Sequence, residues 1–158
     1  MNALIGHKLS IITHKVQTTR HRILGILNEK NYQIVFSDTP GIILPEYKLQ
    51  KSMMNFVYSA FQDADVLIYM IEVGEKGLKD QELFNRLKKT DVPVWMLLNK
   101  IDLADQDFVT EEMESWGKEL PNAELLPISA LNNFNLDVIK KKLVELLPIC
   151  PPYYDKDA

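Results

Sequence analysis

VPVWMLLNKID, residues 92–102, decides the fold. From 92 to 99 it is almost continuously apolar, and it ends on Asn99, Lys100 and Asp102. An unbroken apolar run suits a strand covered by helices on both faces, as in a parallel sheet. DVLIYMIEV (65–73) and AELLPIS (123–129) have the same character. ILGILNE (23–29) and YQIVFS (32–37) flank Lys30-Asn31, a tight connection that predicts an antiparallel hairpin. Between the runs lie helical periodicities. Leu49, Met53, Met54, Phe56, Val57 and Phe61 mark 47–63, and Leu83, Phe84 and Leu87 mark 79–89. Phe108, Met113 and Trp116 mark 106–120, and Val138, Ile139, Leu143, Leu146 and Leu147 mark 135–147, ended by Pro148. Strands alternating with helices predict a three-layer α/β domain with a mostly parallel sheet. Trp95, Trp116, Met53 and Met54 read as packing residues.

The 158-residue length fits one domain with a real core. A net charge of −4 argues against a dedicated nucleic-acid binder, which is normally basic, but leaves room for a local basic patch. Cys150 is the single cysteine and has no internal partner, so a reducing, cytoplasmic setting is expected. No apolar run approaches the roughly 20 residues that span a bilayer. MNALIGHKLS carries no signal-peptide pattern. PPYYDKDA, at the far end, reads as a linker leading out of the domain.

In parallel sheets, ligands bind at the carboxyl ends of the strands. Three polar segments stand there, each just after an apolar run: DTPG (38–41), NKID (99–102) and SAL (129–131). Singly each is weak, and DTPG alone is an ordinary turn. Together, in this order, they form a nucleotide pattern. A carboxylate such as Asp102 can accept two hydrogen bonds from the ring NH and amine of guanine. Adenine lacks that donor pair and leaves a buried carboxylate unpaired, at a cost of roughly 1.5–3 kcal/mol per bond. Asn99 would bind the base edge and tie the loops together, with Lys100 laid along base and sugar. Ser129 belongs to the same loop, and the Ala130 backbone N–H would reach the guanine carbonyl. Asp38 would hold magnesium through water, and the Gly41 N–H would contact the terminal phosphate, whose loss frees the loop.

These residues carry a resemblance. THKVQTTRHRILGI (13–26), followed by YQIVFSDTPG, with NKID, PISA and PPYYDKD, resembles the Era-like subfamily of translation-factor-related GTPases over essentially the whole chain. The resemblance implies a P-loop NTPase G domain whose mostly parallel sheet has one antiparallel strand. It further implies GTP/GDP and Mg2+ as ligands, with Thr19, or its neighbour Thr18, as the switch threonine. By the same likeness the parent protein hydrolyses GTP as a timer of small ribosomal subunit assembly. It would bind 16S rRNA mainly through a KH domain and associate peripherally with membranes. Residues 1–149 would be the G domain and 150–158 the linker towards the KH domain.

Three departures qualify this. The phosphate cradle G-x-x-x-x-G-K-[ST] is missing: among the glycines at 6, 25, 41, 74, 77 and 117, only Gly117 precedes a lysine, and Glu119 then breaks the pattern. MNALIGHKLS resembles the helix that follows the cradle, so the first strand is expected to be missing too. Micromolar affinity is about −8.2 kcal/mol. Four lost charge-assisted contacts at roughly 1.5–3 kcal/mol each consume most of it, so millimolar binding or weaker is expected. A chain starting at Met1 is expected to fold poorly, to dimerise through the gap, or to come from a longer protein. The KH domain is also absent from the sequence. Lastly, Ile42 follows Gly41 where some GTPases place a water-orienting glutamine, so slow hydrolysis is expected.

The alternatives are a degenerate, non-hydrolysing G domain that binds a ribosomal or protein partner, and a small α/β enzyme with DTPG as a plain turn. The latter lacks an obvious nucleophile. His7, His14 and His21 recur at an even spacing of seven, but the segment holding the latter two is rich in Thr and Val and reads as a loop, which does not favour metal. Lys15, Arg20, His21 and Arg22 are either a solvated loop or an RNA or phosphate contact beside the switch.

Overall fold

A computed structural model describes residues 1–6, 21–42, 48–76 and 80–155. Its elements are α1 (Asn2–Ile5), β1 (Ile23–Asn28), β2 (Gln33–Asp38), α2 (Lys48–Asp63), β3 (Leu67–Glu72), α3 (Gln81–Lys89), β4 (Val94–Asn99), α4 (Gln106–Glu119), β5 (Ala123–Pro127) and α5 (Leu136–Leu146). The chain is α/β, and it divides into two compact units, Met1–Asp63 with Leu143–Ala158, and Ala64–Lys142.

In the first unit, β1 and β2 pair antiparallel from Ile23↔Asp38 to Asn28↔Gln33, and Glu29 N–H closes the turn on the Tyr32 carbonyl at 2.9 Å. Met53, Met54 and Val57 recur at helical spacing and form the buried stripe of α2, while Leu49 at its start is exposed. Arg22 bonds the Ser37 hydroxyl and pairs with Asp63 at 2.8 Å, so this member of the basic cluster is committed within the fold. His21 rests edge-on against Phe56 with ring centroids 5.7 Å apart. Lys15, Arg20, His7 and His14 lie outside the described residues. The tail is tied down: the Gln33 side chain donates to the Tyr154 carbonyl at 2.9 Å and accepts from its N–H at 3.1 Å.

The second unit is a parallel sheet in the order β3–β4–β5. Val94, Trp95, Met96, Leu97 and Leu98 of β4 are all buried, as an apolar run without alternation requires. Trp116 meets Tyr69 and Phe84 edge-to-face at 6.2 and 6.4 Å, so both tryptophans are core residues. Asp80 caps α3 by accepting from Leu83 N–H at 3.1 Å, and Asp105 caps α4 by accepting from Phe108 N–H at 2.8 Å. The expected α/β arrangement, mostly parallel with an antiparallel element, is what the described strands form. The described strands make a parallel sheet and a separate antiparallel hairpin, and no ladder joins β2 to β3.

Candidate functional site

The parallel register brings the chemistry to one edge of the second unit. Glu72 pairs with Asn99 across β3–β4, and Leu98 with Pro127 across β4–β5, so the three strands end together. The ladder continues beyond the strands. Val73 N–H donates to the Asn99 carbonyl at 2.9 Å, and Ile128 N–H to the Leu98 carbonyl at 2.8 Å. NKID and SAL are thereby neighbours, although 27 residues separate Asp102 from Ser129.

Side chains then stitch the two loops. Ala130 N–H donates to Asn99 Oδ1 at 3.1 Å, and the Ser129 hydroxyl donates to Asp102 Oδ1 at 2.6 Å. Ser129 is buried, and its Oγ also accepts from Asn132 N–H at 3.3 Å. A tight turn follows, in which Ser129 and Phe134 form an antiparallel bridge with Asn133 and Asn135 at positive φ (55° and 61°). Asparagine tolerates that conformation better than most residues. Lys100 has φ 62°, in the left-handed region. Strain of this kind at a non-glycine residue costs on the order of 1–3 kcal/mol and persists only where the surroundings impose it. Here the Asn99 side chain and the Ile101 N–H, which donates to the Ile128 carbonyl at 3.3 Å, hold the chain on both sides of it.

Several placements differ from the sequence-based picture. The Ala130 N–H, assigned to a guanine carbonyl, is occupied by Asn99. Asp102 is exposed rather than buried, so a bound base would itself have to supply the burial on which discrimination depends. Lys100 Nζ is ion-paired with Glu72. Glu72 escaped the sequence-based selection because only the β3–β4 register, not its spacing from NKID, puts it beside Asn99. Asp38 ends β2 in the first unit, half-buried, followed by buried Pro40 and exposed Gly41. Thr18 and Thr19 lie outside the described residues. Among those described, no group of three or more His, Cys, Asp or Glu side chains is arranged to hold a metal.

The family described as 50S ribosome-binding GTPase matches residues 1–100. "GTPase Era" of Clostridium botulinum is 40% identical over 99% of this chain, which spans 53% of that protein. The chain thus spans about half the length of the curated relatives it matches. A crystal structure of Era in complex with MgGDPNP and nucleotides 1506–1542 of 16S ribosomal RNA superposes with a TM-score of 0.91 at 36% identity, over 99% of this chain and 54% of that one. A variant of Aquifex aeolicus Era bound to GDP.AlF4- gives 0.90 at 36% identity, over 99% and 55%. The fold is that of the P-loop NTPase G domain in these structures.

Proposed function

As the chain belongs to the 50S ribosome-binding GTPase family, we propose that it supplies the guanine-reading part of a GTP-hydrolysing switch acting in small ribosomal subunit assembly. The stitching of NKID to SAL, by Ala130 N–H to Asn99 and by Ser129 to Asp102, is the observation that carries the proposal. It holds a carboxylate, an amide and a backbone N–H at one sheet edge before any ligand arrives, which lowers the cost of binding. Asp102 would accept from the ring NH and amine of guanine, and Asn99 would bind the base edge. Lys100 would exchange Glu72 for the face of the base. Ala130 N–H would share its hydrogen between Asn99 and the base carbonyl. Asp38, Gly41 and Thr19 (or Thr18) would sense the terminal phosphate. The reaction is GTP plus water to GDP plus phosphate.

A carboxylate and a threonine hydroxyl are hard oxygen donors that suit magnesium. Asp38, through water, and Thr19 would hold the ion, which supplies neutralisation of phosphate charge. The MgGDPNP, GDP.AlF4- and 16S rRNA in the similar structures support these ligands and an rRNA partner. We further propose that residues 1–149 act as the nucleotide domain and 150–158 as the connection to an RNA-binding domain. We propose a cytoplasmic location from the single cysteine, Cys150, and peripheral membrane association from the resemblance. No helix among the described residues is long and apolar enough to cross a membrane.

Titration of the 158-residue chain with GDP and with ADP, in magnesium and followed by amide chemical shifts, tests the proposal. GDP should shift residues 99–102 and 129–130 with millimolar affinity or weaker, and ADP should not. Equal responses to both would overturn it. The alternative is a non-hydrolysing module that binds a ribosomal or protein partner. Single-turnover phosphate release from GTP by the chain would exclude that alternative.

A further inference from the structure

The second unit carries an apolar groove that guanine recognition does not use. It has a volume of about 520 Å3 and lies between α4 and the end of β5, lined by Ile101, Val109, Met113, Pro127 and Phe134. Phe134 is 50% exposed, and Leu103 and Phe108, which flank the lining residues in sequence, are 73% and 44% exposed. An apolar groove with an exposed aromatic in its wall is surface of the kind that marks interaction sites.

The helix that forms one wall says what would sit there. Gln106, Thr110 and Met113 of α4 line the groove. Asp107, Glu111 and Glu114 each come one residue later, so they form a stripe beside it, spaced four and three apart. Like charges at that spacing repel one another. Among the described residues none of the three belongs to an ion pair, and all three are exposed. Lys118 is one turn further on and is the only cation in α4. An acidic flank repels nucleic acid and other anions.

We propose that this groove docks a basic amphipathic segment of a protein partner. Apolar side chains would enter against Met113, Pro127 and Phe134, and lysines or arginines would face Asp107, Glu111 and Glu114. The site goes beyond the nucleotide proposal and does not depend on it. Ile101 and Phe134 nevertheless belong to the two loops stitched at Asp102 and Ser129, so occupancy of the groove would be felt there.

The test uses a fluorescein-labelled helical peptide of leucine and lysine, about 15–20 residues long so that a helix is sustained. Its control keeps the leucines and carries glutamate for lysine. Anisotropy with the full chain should show the lysine peptide binding about tenfold or more tightly than the glutamate one. Phe134→Ser should weaken it about tenfold, and Glu111→Lys with Glu114→Lys should reverse the preference between the peptides. Glu111 and Glu114 are exposed, so that pair remains decisive if Phe134→Ser unfolds in circular dichroism. Equal binding of both peptides, or indifference to the charge reversal, would overturn the proposal. So would binding of labelled single-stranded RNA to the chain that Phe134→Ser abolishes, or a dimer in sedimentation that Phe134→Ser abolishes, since the occupant would then be RNA or a second copy.

Discussion

Ser129→Ala removes one buried oxygen and with it both of its hydrogen bonds, to Asp102 at 2.6 Å and from Asn132 at 3.3 Å. A hydrogen bond to a charged group is worth roughly 1.5–3 kcal/mol. Asp102 is exposed, so water takes over part of the lost bond and the lower end of that range applies. The Asn132 bond is long and adds a few tenths. The expected loss is therefore about 1–2 kcal/mol. Trp95 and Trp116 are both buried in the second unit, so tryptophan fluorescence during urea unfolding reports on that unit. The midpoint should fall with an unchanged slope. The same substitution in an Asp102→Ala background should cost only about 0.5 kcal/mol, leaving a coupling energy near 1 kcal/mol. If Ser129→Ala costs the same with and without Asp102, the hydrogen bond does not hold the loops together, and the preorganisation argued for the base pocket fails.

Lys100→Gly should stabilise the unit by about 0.5–1 kcal/mol, because glycine adopts φ 62° without strain, and the exposed Glu72 pair it sacrifices is worth little; a lowered urea midpoint would contradict this. The Tyr69 phenol is raised well above its ordinary value of 10.0 by burial, with Glu75 adding to the effect. The neutral phenol is favoured in the folded state, so its contribution is intact below pH 10 and is lost as pH rises towards the folded value. At pH 11 Tyr69→Phe should therefore retain about 1.4 kcal/mol that the parent has lost relative to pH 9, measured by urea unfolding at both pH values. Leu97→Ala empties a fully buried position in the central strand and should cost about 2–5 kcal/mol in the same assay. Gln33→Ala should release the tail, speeding limited proteolysis after Tyr153 and Tyr154, while the global midpoint moves by less than about 0.5 kcal/mol.

The strands and helices were legible because burial writes its period into the sequence. The unalternating run at 94–98 could only be a strand covered on both faces, and Met53, Met54 and Val57 could only face one side of a helix. Asp80 and Asp105 cap α3 and α4, which the apolar periodicities did not show. The residue types of the base pocket were legible for a similar reason: NKID and SAL each end an apolar run, and a parallel sheet gathers such ends at one edge. Long-range geometry was not written in that way. Which hydrogen Ala130 gives to Asn99, which acid Lys100 finds, and that the tail closes on Gln33 all depend on register and on contacts between residues far apart in the chain. The apolar groove was equally invisible, because Met113 and Phe134 are ordinary residues until α4 and the turn after β5 face each other. Local periodicity thus determined the elements and the kinds of chemistry at their ends. Strand register and side-chain pairing across the fold decided which groups meet.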